Sequence, residues 1–185
     1  MFPIDVAISS GEMVVLEWLA GERGAMNRAA GVKDRRVGGE SSTDYDLDGV
    51  IGERAVAKAL GVPMDLTTHL RSHGVDMVAP SGASIDVKTS RVSSARLISP
   101  VGKRLDADVL VLAIIRSHRD QWRDTCIVTV SGWAFSDDLT SDENRVDPGG
   151  RMRVRCPTYV LPREKLRTGA ISEKEEEDTA RRSPR

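Results

Sequence analysis

Residues 74–90 read GVDMVAPSGASIDVKTS. Two short apolar runs, VDMVA and SIDVKT, flank Pro80, Ser81 and Gly82, and that punctuation predicts a hairpin turn between two strands. Side chains alternate faces along a strand, so Asp86 and Lys88 share one face while Ile85, Val87 and Thr89 share the other. Asp76 stands in the partner strand, at a separation that brings it opposite Asp86. Two carboxylates and an ammonium then converge on one patch of sheet. Paired acids repel unless something positive lies between them. A divalent cation supplies that charge, and hard cations such as Mg²⁺ prefer carboxylate oxygens.

Working upstream, DGVIGERAVAKALG predicts a helix that Gly61 stops, with Pro63 just beyond. Gly49, Glu53, Val56 and Leu60 form one stripe at helical spacing, so Glu53 sits beside an apolar face. A partly buried glutamate needs a partner. Either a site role or a border ion pair with Lys58 or Arg54 supplies one. The segment DYDLDG, Asp44 to Gly49, matches the opening of a calcium loop, but the match fails at its twelfth position, Ala55. Asp48 reads more plainly as a helix N-cap.

Asp76, nine residues, then Asp86-Val87-Lys88 on a hairpin resembles the PD-(D/E)XK nuclease superfamily, the restriction-endonuclease-like fold. The family's leading proline is replaced by Val75. The resemblance implies an α/β fold: a central mixed β-sheet flanked by helices, here with an N-terminal helical extension. It implies a nuclease hydrolysing phosphodiester bonds, most naturally in DNA, with RNA as the other candidate substrate. Glu53, Asp76, Asp86 and Lys88 are the implied catalytic residues. Asp76, Asp86, the Val87 carbonyl and Glu53 are the implied ligands of Mg²⁺, for which Mn²⁺ can substitute. The family's usual helix between its third and fourth strands is not evident; Ser117 to Asp124 is where one would lie. A rival reading is a non-catalytic DNA-binding or scaffold protein that keeps the fold.

Further out, EMVVLEWLA predicts a short helix from Glu12 to Ala20 whose apolar side is Val14, Val15, Trp18 and Leu19. A second helical piece follows, with Arg23, Asn27 and Arg28 exposed and Lys33 in the loop beyond. This arm either packs on the core or contacts phosphate. Downstream, Arg91, Lys103 and Arg104 belong to a locally basic region that offers the same contact. Ala95 to Ser99 reads as a short extended piece. DVLVLAIIR, Asp108 to Arg116, predicts a central strand buried on both faces. TCIVTV is another strand. Gly132 to Phe135 should turn into a short helix ending near Leu139, with Trp133 in the core. Thr158 to Leu161, bracketed by Pro157 and Pro162, reads as an edge segment. His69 and His73 have the spacing of a helical metal pair, without an evident third ligand.

The chain has 185 residues, 39% of them hydrophobic, and a formal net charge of −1, which suits a globular protein with a sizeable core. No apolar run approaches the roughly 20 residues of a membrane span, and no leader pattern is evident, so a cytoplasmic location is expected. Cys126 and Cys156 lack a CxxC partner and read as buried free thiols. Residues 1–170 are expected to form one nuclease-like domain, with 1–43 a helical arm and loop and 44–170 the core. Residues 171–185 are too charged to order themselves. Cutting both strands of a duplex would need a homodimer.

Overall fold

The computed structural model describes residues 2–31, 42–68, 74–117, 122, 124–149, 154 and 156–172. The fold is α/β. In chain order the elements are β1 (Ile4–Ser9), α1 (Ser10–Ala29), α2 (Ser42–Leu60), β2 (Met77–Val78), β3 (Ser84–Ser90), β4 (Leu97–Pro100), β5 (Val109–Ile115), β6 (Thr125–Phe135), α3 (Ser136–Leu139), β7 (Arg145–Val146) and β8 (Thr158–Leu161). Five strands form a mixed sheet in the order β1-β6-β5-β3-β2, and three form a small antiparallel sheet in the order β4-β8-β7. Only β3 and β5 run parallel in the large sheet; its other pairings are antiparallel.

The apolar run at β5 is central for the reason its composition suggests. All seven of its residues are buried, and alternation divides them between two layers. Val109, Val111, Ala113 and Ile115 pack with Leu16, Leu19, Ile51 and Val56 of the α1–α2 pair. Leu110, Leu112 and Ile114 pack with Leu97, Leu139 and Leu161 from the side of the small sheet. The parallel register sets Asp86 beside Leu110 and Lys88 beside Leu112. Ile85 and Val87 instead belong to the layer that contains α2. The helix approaches closely at Gly52, where a Cβ would lie 1.9 Å from Thr89 Oγ1. A second close approach occurs at Gly132 (φ +150°), where a Cβ would lie 2.7 Å from the Arg167 carbonyl. That gap lets the chain after β8 return onto β6, with Arg167 N–H donating to the Trp133 carbonyl at 2.8 Å.

Polar contacts seal the start of the large sheet. Ser9 and Glu12 form a reciprocal capping box at the start of α1. Glu12 also takes Arg54 Nη2 at 2.6 Å and Lys58 Nζ at 3.0 Å. Lys58 Nζ donates at 2.7 Å to the Ala7 carbonyl of edge strand β1 as well, a cation placed where an open edge would invite pairing. Just beyond Lys58, at the same end of α2, Gly61 (φ +67°) ends the helix, with Val62 N–H donating to the Ala57 carbonyl at 3.0 Å.

Several expectations need correction. The chain opens with β1, which the sequence reading did not contain. α1 runs unbroken through Gly21 and Gly24, and its buried side is Met13, Leu16, Leu19 and Ala20. Val14, Val15 and Trp18 point to solvent at 67%, 47% and 58% exposure. Asp48 lies inside α2 and is buried, so it is no N-cap; the Asp44 to Gly49 segment, whose match to a calcium loop already failed at Ala55, is helix. Gly132 to Phe135 continues β6 past an irregularity, because the register steps from Leu112↔Gly132 to Ala113↔Val130. β8 is the middle strand of its sheet, not an edge. Cys126 is buried as expected, but Cys156 is exposed. Ile171 is buried in the core, so ordered packing continues past residue 170.

Two predictions follow from this packing. Burial alone would raise the Glu12 carboxyl, but the Ser9 backbone N–H, Arg54, Lys58 and the Ser9 hydroxyl outweigh it and lower it from 4.5 to about 2. A lowered carboxylate contributes stability above its unfolded pKa and loses it as pH falls through the folded one. Glu12→Gln should therefore cost about 1 kcal/mol at pH 7, given partial exposure, with the difference fading as pH falls from 4.5 towards 2; urea melts across that range check it. Gly52→Ala should cost about 1–3 kcal/mol through overpacking against Thr89 despite alanine's better helix propensity. Thr89→Ala in the same chain should restore most of that in urea melts.

Candidate functional site

The predicted hairpin forms. Ala79 N–H donates to the Ala83 carbonyl at 2.8 Å, and Gly82 (φ +97°) turns the chain between β2 and β3. Met77 pairs with Ile85, so the next residue outward, Asp76, stands opposite Asp86. The Asp76 N–H donates to the Ile85 carbonyl at 2.7 Å. Its carboxylate in turn accepts the Val87 N–H at Oδ2, 2.7 Å away. Asp76 thus continues the ladder with its side chain where a strand backbone would have been. N–H and C=O of one strand residue point the same way, so the Val87 carbonyl faces this same edge. Asp86 is 7% exposed and forms an ion pair with Lys88 Nζ. At the far end of β3, Asp108 accepts the Ser84 hydroxyl at 2.6 Å and the Ser84 N–H at 2.8 Å. Those two bonds hold its carboxyl below the usual range and pin the parallel register of β3 on β5.

Glu53 is placed differently. Its carboxylate takes Arg23 Nη1 at 2.9 Å, with both side chains only 11% exposed. The rest of that guanidinium donates to the Asp65 carbonyl at 2.6 Å and the Thr67 carbonyl at 3.0 Å. Arg23, expected to be exposed for phosphate contact, is an internal clamp joining α1, α2 and the segment after α2. Among the described residues, no three His, Cys, Asp or Glu side chains lie close enough to share a metal ion. The structure brings Asp76, Val87, Asp86 and Lys88 together and does not add Glu53 to them as a third acid. Two carboxylates and a carbonyl on one sheet edge are hard oxygen donors, and Mg²⁺, which keeps several waters, fits such a set.

The other basic residues divide. Arg91 forms a bidentate pair with the buried Asp48, both contacts at 2.6 Å, and its guanidinium lies 5.0 Å from the Trp122 ring centroid. Burial pushes the nearby Cys126 thiol up to about 11, Asp48 adding to the effect and Arg91 opposing it, which makes it inert as a nucleophile. Lys103 and Arg104 are exposed in the turn after β4, with Arg104 2.5 Å from Asp106. Asn27 is half-exposed on α1. Lys33, His69 and His73 lie outside the described residues, as do most of Ser117 to Asp124 and all of 173–185. Sequence reasoning missed the Arg23–Glu53 and Asp48–Arg91 pairs. Glu53 was visible as an acid beside an apolar helical stripe, whereas Asp48 read as an N-cap; the partner, 30 or 43 residues away, carried no local signal.

A family model matches residues 10–167, from the first turn of α1 to the strand-like return at Arg167. The chain belongs to DUF5843. It is a family of unknown function, and membership brings no assignment of activity. No curated protein and no solved structure matches the chain. The DUF5843 match takes in both helices, the β2–β3 edge and the small sheet, and leaves out β1.

Arg23→Met separates a clamp from a phosphate contact. It leaves Glu53 buried beside a lost cation and two carbonyls without their donor, so urea denaturation should show a loss of about 3–5 kcal/mol. A stability change near zero, with weakened DNA binding, would restore the exposed-arm reading.

Proposed function

We propose that this DUF5843 protein is a Mg²⁺-dependent nuclease that hydrolyses phosphodiester bonds, in DNA before RNA, at the β2–β3 edge. The supporting observation is the Val87 N–H held by Asp76 Oδ2, which sets one carboxylate against the backbone between Asp86 and Lys88. Asp76, Asp86 and the Val87 carbonyl would hold the ion; when bound it polarises phosphate oxygens and lowers the pKa of a coordinated water. The chain's own groups orient the reaction. The Val87 N–H fixes the direction of the Asp76 carboxylate. Lys88 Nζ, balanced by Asp86 in the absence of substrate, would turn to the phosphate as negative charge builds on it in the transition state. Water adds to phosphorus, one P–O ester bond breaks, and the leaving oxygen takes a proton.

A non-catalytic DNA-binding or scaffold role has one observation on its side: Glu53, the third acid implied by the nuclease resemblance, is committed to Arg23. The two readings part at Lys88. Lys88→Ala should leave Mg²⁺ affinity roughly intact while lowering the cleavage rate by about 10²–10³-fold, the loss typical of one electrostatic stabiliser. DNA affinity measured in Ca²⁺ should fall little, since one phosphate contact among several is lost. Cleavage by the variant at the wild-type rate would remove Lys88 from the chemistry.

A further inference from the structure

The solvent side of α1 is unusual for an exposed helix. Helical spacing puts Gly11, Val14, Val15, Trp18, Gly21 and Glu22 on one arc, diametrically opposite the buried Met13, Leu16, Leu19 and Ala20. Only Glu22 on that arc carries charge. Val14, Val15 and Trp18 are 67%, 47% and 58% exposed, on the order of 300 Å² of contiguous apolar surface, a size that marks interaction sites. Gly11 and Gly21 have nothing within 4 Å of where a Cβ would stand. The face therefore alternates a tryptophan ridge with two gaps.

We infer that this face docks a second copy of the chain, α1 against α1 in antiparallel orientation. A two-fold axis near position 16 sets each Trp18 against Val14 of the other copy and Gly11 against Gly21, so backbones approach at both ends of the contact. The same pairing brings Glu22 to the first turn of the other α1, at Ser10, where the positive end of the helix dipole favours an acid. Opposed helix dipoles add to this. An anionic surface would meet Glu22 and the neighbouring Glu17 instead, which disfavours nucleic acid or an acidic membrane as the occupant. The area is small beside the roughly 800 Å² per partner of a standard interface, so the dimer is a weak one that forms with rising concentration. The inference stands independently of the nuclease reading.

The protein carries its own reporter. Of its three tryptophans, Trp122 and Trp133 are buried at 5% and 1% exposure, and only Trp18 is open to water. Sedimentation velocity and tryptophan emission should be followed together from about 1 to 500 µM, the span over which weak contacts assemble. A monomer–dimer transition accompanied by a blue shift of the emission is expected. Trp18→Glu should weaken association at least about 100-fold, as loss of a central aromatic anchor does, while leaving the melting temperature of the monomer unchanged. Gly21→Leu fills the gap from a position where a Cβ meets nothing within 4 Å and should weaken association about tenfold, with the melting temperature of the monomer checked alongside. A monomer throughout, a dimer without a shift in emission, or a dimer indifferent to Gly21→Leu would each overturn the proposal; the first would assign the face to another occupant.

Discussion

One contact organises the site layer: Gly52 of α2 against Thr89 of β3, with no room for a Cβ between them. It seats the long helix on the Ile85–Val87–Thr89 face of β3 and so decides which side of the strand is roofed by helix. Asp86 and Lys88, one residue out of phase, turn to the opposite face and meet Leu110 and Leu112 of β5. Glu53 is next to Gly52 in sequence, yet its helix lies across the sheet layer from Asp86. The distance between a helix-borne acid and the hairpin acids is thus a consequence of packing.

That geometry explains what was legible from the residues and what was not. Alternation in a seven-residue strand is a local property, so the two faces of β3 and the full burial of β5 could be read directly. The turn at Gly82 and the stop at Gly61 were equally local, each needing a backbone with positive φ. The phase of α1 was not legible. Val14, Val15 and Trp18 make as good an apolar stripe as Met13, Leu16 and Leu19, and only the position of β1 and α2 chooses between them. β1 itself escaped because IDVAIS gains its stability from β6, more than a hundred residues away. Gly132 looked like a breaker because glycine usually is one; here it makes space for the returning chain at Arg167.

Charges show the same division. An acid on a helix face announces that it needs a partner, but not which. Glu53 and Asp48 each found an arginine that the sequence had suggested for phosphate. Both pairs are largely withdrawn from solvent, and breaking such a pair costs far more than making it contributes. Arg23 and Arg91 are accordingly part of the frame that holds α1, α2, β3 and Trp122 in place. What remains for the proposed chemistry is narrower and better defined: Asp76 anchored by a backbone N–H, Asp86, the Val87 carbonyl and Lys88, all within three consecutive residues of β3 and the one residue that extends β2. A phosphodiester substrate would have to approach at the end of the short edge strand.

The most direct measurement is an incubation of the purified wild-type protein and Asp86→Asn with linear, circular and single-stranded DNA, in Mg²⁺ and in EDTA. The account predicts cleavage by the wild type in Mg²⁺, none in EDTA, and a loss of at least about 10²-fold in Asp86→Asn, whose fold and melting temperature without metal should be retained. No cleavage of any substrate by the wild type, or cleavage that Asp86→Asn leaves intact, would contradict it.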